Sequence, residues 1–182
     1  MAQLELPAEA IGTPLAAFDS TGLVFGVTAS MADGQGHYIH LYDARNFSSG
    51  AFAEMKVDQN ALNNVLTPAK AQTPWTNMTF NASGNQILIS GAQGLTLTLD
   101  GFDGTVKRTF SEQSALCSCF TPDDKYVLTG NEDGSISCWN VDSGILVKRL
   151  EGHQDPVTCI AANPKYTMLA SCSTNTALWL WK

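Results

Sequence analysis

Histidines, cysteines and turn acids are the residues of this chain that could perform chemistry, and their spacing sets what to expect of them. His37 and His40 stand three apart, the first just before and the second within 38–42 (YIHLY), a run that alternates as a strand, and on a strand that spacing sends two side chains to opposite faces. A shared metal ion is therefore not expected. The five cysteines, Cys117, Cys119, Cys138, Cys159 and Cys172, are an odd number and include no C-x-x-C pair. Most fall inside apolar runs, where cysteine acts as a small hydrophobic side chain in a reducing compartment. His153 follows Gly152. Nucleophilic catalysis would need a serine in a G-x-S-x-G elbow, and metal hydrolysis a second histidine at ligand spacing; the sequence has neither. The stretch 101–104 (GFDG) is a turn and not a phosphate cradle, because no helix start follows it. These residues predict no catalytic centre, no cofactor and no metal.

The elements that carry them are strands. Residues 116–150 divide into four short alternating runs joined by three turns: Thr-Pro-Asp-Asp at 121–124, Glu-Asp-Gly at 132–134 and Asp-Ser-Gly at 142–144. Four antiparallel strands in about 35 residues cannot bury both faces of their sheet alone, so a neighbour of the same kind is required. The chain supplies it. Phe120 has counterparts at Phe18, Phe80 and Ala162, each followed by a turn sequence, at offsets of 62, 40 and 42 residues. Nineteen residues after the last three anchors come Leu99, Trp139 and Trp181. A period of about 40 with an aromatic residue late in the unit marks a β-propeller of WD type. The reading is an all-β, single-domain chain of four four-stranded antiparallel blades forming a partial, open propeller, with under about a tenth helix. The units are 13–57, 75–110, 115–150 and 156–182. Segment 58–74 is an interblade insertion, a long loop with a helical turn at 60–66, and 1–11 supplies a strand (QLEL, 3–6) of a preceding or closing blade. Trp139 is the expected core anchor of its blade.

Bulk composition narrows the partners. A net charge of −7 argues against a nucleic-acid surface, which needs a basic face. No run of 18 apolar residues exists, and the first ten residues carry acids where a secretion signal needs bases, so a soluble intracellular protein without membrane partners is expected. The basic pairs Lys107-Arg108 and Lys148-Arg149 fall on outermost strands, where charge guards an exposed sheet edge. Because strand side chains are committed to packing between blades, partner binding is expected in loops. The candidates are Asn131 and Glu132, Thr174 and Asn175, and Gln154 and Asp155, with the two loop types opening on one rim.

Several stretches carry a resemblance: FDSTGLVFGV, IHLYDARNF followed by GAFAEMK, ILISGAQG, FTPDDKYVLTGNEDGSISCWNVDSG, and PVTCIAANPKYTMLASCSTNTALWLW. Together they resemble the C-terminal four repeats of the WD-repeat subunit of COMPASS-type histone H3 lysine-4 methyltransferase complexes, a subunit also found in mRNA 3′-end processing and phosphatase assemblies. The resemblance implies a nuclear, non-catalytic scaffold whose partners are subunits of those complexes. It also implies a buried hydrogen-bond chain in the fourth unit from His153 through Ser171 or Ser173 and Asn175 to Trp181, with Asn175 in place of the usual Asp. In the third unit it implies Asp133 and Trp139, with Thr129 as the strand hydroxyl. Other readings are a WD adaptor of another pathway, such as a ubiquitin-ligase substrate receptor, and a propeller enzyme with carboxylates converging on its channel. An open arc would leave blade faces free for self-association.

Overall fold

The computed structural model describes residues 4, 10–31, 36–110 and 115–180; the expected 3–6 strand lies outside them except for Leu4. The chain folds into four successive antiparallel sheets. In the first, β1 (Ala10–Ile11) and β2 (Ala16–Phe18) both pair with β3 (Val24–Met31), which is followed by β4 (Gly36–Asp43) and β5 (Ala53–Asp58). The innermost position of this sheet is thus one strand in two pieces, broken at Gly12 with its φ of +75°. Ala10 and Ile11 belong to the first sheet and not to a preceding or closing blade. The second sheet is β6 (Trp75–Phe80), β7 (Gln86–Gly91), β8 (Leu95–Asp100) and β9 (Val106–Thr109). The third is β10 (Ala115–Phe120), β11 (Tyr126–Asn131), β12 (Ser135–Asn140) and β13 (Leu146–Glu151). The fourth has three strands among the described residues, β14 (Cys159–Ala162), β15 (Met168–Cys172) and β16 (Thr176–Leu180). Among the described residues no strand pairing joins the fourth sheet to the first.

Strand alternation builds the core between sheets. On β7, Ile87 and Ile89 point back to Ile39, Leu41, Met55 and Val57 of the first sheet, while Leu88 between them points forward to Val127 and Trp139. β11 repeats the device, with Val127 facing back and Leu128 facing forward to Val157, Ile160 and Leu169. Middle strands covered on both faces read as continuous apolar runs, as ILIS and VL do here. Cys117, Cys119 and Cys138 join the packing between the third and fourth sheets. Burial pushes the thiols of Cys117 and Cys119 up to about 11 and about 12, so both are inert core groups.

Segment 58–74 carries the helical turn expected at 60–66, as a seven-residue helix, and a second short helix after it. Asp58 accepts from the Asn60 amide at 3.3 Å and caps α1 (Gln59–Val65), and Pro68 opens α2 (Pro68–Ala71). Leu62 and Ala71 are buried in the core between the first two sheets, and the Gln59 amide donates to the Ala71 carbonyl at 2.8 Å. The insertion therefore clamps one end of that interface.

His37 and His40 project to opposite faces, as the strand period requires. His40 lies 3.5 Å from the Glu54 carboxylate, whereas the His37 ring stacks on Trp75 with centroids 4.0 Å apart and meets the Ser30 hydroxyl at 2.8 Å. Burial pushes His37 down to about 4 from an ordinary 6.5. A histidine whose folded pKa is depressed binds its proton first in the unfolded chain, so stability falls as pH drops from about 6.5 towards 4 and is unaffected above that window. The loss attributable to His37 should reach up to about 3 kcal/mol. Denaturant melts of the parent and of His37→Phe across pH 7 to 4 should diverge by that slope; parallel curves would contradict the neutral, buried imidazole.

Candidate functional site

Two hydroxyl–tryptophan anchors fix the third and fourth sheets, and the turns they hold form the candidate binding rim. In the third sheet Trp139 is buried, and its indole Nε1 donates to Thr129 Oγ1 at 3.0 Å. Thr129 in turn lies 3.4 Å from Asn131 Oδ1, and Asn131 Nδ2 donates to Ser135 Oγ at 3.0 Å and Ser137 Oγ at 2.9 Å. Asp133 joins this chain through Ser135 rather than through Thr129. It accepts from the Ser135 amide and hydroxyl, and it pairs with Arg149 across the outer strand. Arg149 thus does more than guard an edge, and its counterparts in the second sheet, Lys107 and Arg108, are also engaged, with Asp100 at 2.8 Å and with the Asp142 carbonyl at 2.6 Å.

In the fourth sheet the chain runs through a histidine. His153 Nδ1 meets Asn175 Oδ1 at 2.9 Å and Nε2 meets Ser171 Oγ at 2.7 Å, while Trp179 Nε1 donates to Ser171 Oγ at 2.7 Å. The roles close consistently for a neutral imidazole: Nδ1–H donates to the amide oxygen, Nε2 accepts the serine proton, and the serine oxygen accepts the indole proton. The tryptophan is Trp179 and not Trp181, which lies outside the described residues. Leu169 pairs with Trp179 where Val127 pairs with Trp139, so the β15–β16 hairpin is two residues shorter than the register of the repeats implies. Ser171 is the chain's hydroxyl; Ser173 instead donates to the Asp155 carbonyl at 2.9 Å.

The turns meet on one side of the molecule. Thr174 Oγ1 donates to Asp155 Oδ2 at 2.9 Å, tying the β15–β16 turn to the loop after His153. Gly134, with φ +83°, brings the β11–β12 turn so close that a Cβ there would lie 2.4 Å from the His153 carbonyl oxygen. Glu132, Gln154, Asp155, Thr174 and Asn175 are exposed on this rim. Asn131 is not among them: it is 3% exposed and spends its amide inside the sheet, which removes it from the candidate binding residues. Ser135 and Ser137 were missed, although their alternation on a strand opposite an Asn-Glu-Asp-Gly turn is the signal of a polar ladder. Among the described residues no group of three or more metal-ligating side chains converges, and no helix is long and apolar enough to cross a membrane.

The WD domain, G-beta repeat model matches residues 104–140 and 144–182. This chain carries WD repeats. It is 36% identical over 93% of its length to WD repeat-containing protein 82 of Drosophila melanogaster, covering 50% of that protein. It is 28% identical to the COMPASS component SWD2 of Saccharomyces cerevisiae over 85% of this chain and 48% of the relative. The chain therefore spans about half the length of the curated relatives it matches. The crystal structure of the Myceliophteria thermophila Cps50 (Swd1) β-propeller domain matches 92% of the chain and 53% of that domain, with a TM-score of 0.68 at 16% identity. That likeness establishes the fold, a run of propeller blades.

Ser171→Ala should leave the buried indole N–H and the imidazole without their shared partner, at a cost of about 1–3 kcal/mol for each unsatisfied group. Ser171→Thr, which restores the arrangement of Thr129, should recover much of the loss. Thermal melts decide it, and equal melting temperatures for parent and Ser171→Ala would contradict the anchor.

Proposed function

We propose that the chain is a non-catalytic scaffold of a nuclear COMPASS-type histone H3 lysine-4 methyltransferase complex, holding partner subunits on the rim formed by Glu132, Gln154 and Thr174. The observation that carries this reading is the likeness to WD repeat-containing protein 82 and to the COMPASS component SWD2, which runs through nearly the whole chain and includes repeats with little general WD vocabulary. The rim supports it physically. Its residues are exposed, yet they sit on turns fixed by buried hydrogen bonds, which keeps the ordering cost of binding low. His153, the chain's most suggestive catalytic group, has both ring nitrogens committed to the fourth sheet, so its position is architectural. Acids on the rim, Glu132 and Asp155, favour a partner segment carrying lysine or arginine.

Affinity purification of the tagged chain from nuclear extract, read by mass spectrometry, should recover subunits of a histone H3 lysine-4 methyltransferase. Glu132→Lys combined with Gln154→Lys should lower that recovery at least about tenfold, as loss of complementary charge at an interface does, with no change in melting temperature. Recovery of ubiquitin-ligase subunits in their place, unaffected by the double substitution, would contradict the reading.

A further inference from the structure

The middle strands of the first sheet outrun those of its neighbours at one end. Val24 pairs with Asp43 as Gln86 pairs with Asp100 and Tyr126 with Asn140, so the three ladders begin in step. β3 and β4 then have eight residues each where β7, β8, β11 and β12 have six, and the excess is Ser30, Met31, Gly36 and His37. Gly36, with φ +123°, starts β4 so close to the Val57 carbonyl that no Cβ would fit. Opposite this extension stands the insertion that carries α1 and α2, and between the two lies a cleft of about 670 Å³. It sits at the β3–β4 end of the sheets, the side that also carries the β11–β12 turn.

None of the residues lining the cleft is Asp, Glu, Lys or Arg, although these types make up 15% of the chain. His37 adds no charge at neutral pH, because burial keeps its imidazole unprotonated. It is 7% exposed with Nδ1 at Ser30 Oγ, and Nε2 has no hydrogen-bond partner among the described residues. The exposed amide of Gln72 lines the same cleft and is likewise unpartnered among them. An ionised group entering here would lose its hydration with no counter-charge to meet it. A wholly apolar one would cover His37 Nε2 and leave it unpaired. What fits is a neutral group that both donates and accepts, as a carboxamide does. We propose that the cleft binds an uncharged segment of a partner protein, with the carboxamide of an Asn or Gln side chain held between His37 and Gln72. The cleft is larger than one side chain, so backbone enters with it, and the hydroxyls of Thr13, Thr28 and Thr76 suit neutral peptide groups. Ile11 and Met31 supply contact for methylenes. The walls are set beforehand, by the His37–Trp75 stack and by the Gln59 bond to Ala71 across the insertion, which lowers the ordering cost of binding. The inference shares with the scaffold reading only the premise that this chain holds a protein partner.

Selection of a random linear peptide library on the folded chain should enrich uncharged peptides with Asn or Gln at one fixed position. Fluorescence anisotropy of the leading peptide should then show binding at least about tenfold weaker to two variants. His37→Phe keeps a ring on Trp75 but removes Nε2, and Gln72→Glu places a carboxylate in the cleft. Replacing the amide residue of the peptide by Leu should cost as much. Gln72 is exposed, so Gln72→Glu should melt with the parent, which keeps the test intact should His37→Phe disturb the fold. A selection that yields only charged or wholly apolar peptides, or none, overturns the proposal, as does equal binding to parent and Gln72→Glu. Basic peptides lost on Glu132→Lys with Gln154→Lys, but not on Gln72→Glu, would overturn the cleft and leave the acidic rim standing.

Discussion

A sheet of four short strands cannot bury two faces by itself, and that constraint governs the rest of this molecule. Each unit must place one face on the unit before it and the other on the unit after it. Alternation along the middle strands does this with neighbouring residues: Ile87 and Leu88 serve two different interfaces, as do Val127 and Leu128. Removing a methylene from one of these positions opens a cavity between sheets and not within one. The polar anchors follow from the same geometry. An indole wedged between sheets has its N–H far from water, and Thr129 and Ser171 are the hydroxyls that satisfy it.

The third and fourth sheets solve one problem with different residues. In the third, an asparagine at the strand end ties a threonine to two serines; in the fourth, a histidine arriving from the interblade loop ties a serine to the turn. Use of the histidine couples the loop 153–155 to the β15–β16 turn, and the tight approach of Gly134 couples the neighbouring turn to the same loop. A rim assembled this way presents polar side chains from three loops on a rigid base.

Much of this was legible before any coordinates. The period of about 40 residues, the alternation of the strands and the turn residues define four sheets, because each is a local signal repeated. The tryptophan of the fourth sheet was not legible for a specific reason. A one-residue slip in strand pairing turns every side chain to the wrong face, but a two-residue slip preserves alternation, so Trp181 and Trp179 fit the pattern equally well. Only the length of the hairpin, fixed by the pairing of Cys172 with Thr176, separates them. Asn131 misled in another way: asparagine favours turns, yet here it is the last paired residue of β11 and its amide is consumed by the strand beside it. In the insertion at 58–74 the first helix was legible as a turn at 60–66, but the second was not, since four residues carry no period and Ala71 holds its place by entering the core.

The claim that stability resides between sheets is tested most directly by a double-mutant cycle on Phe110 and Trp139. Phe110 directly follows the outer strand of the second sheet and Trp139 lies in the third; their ring centroids are 6.2 Å apart and they share no strand pairing. Denaturant unfolding of Phe110→Ala, Trp139→Ala and the double variant should give a coupling of about 0.5–1.5 kcal/mol, the range for aromatic pairs in contact. Losses that add within about 0.3 kcal/mol would mean that the second and third sheets are stabilised independently, which would contradict the account.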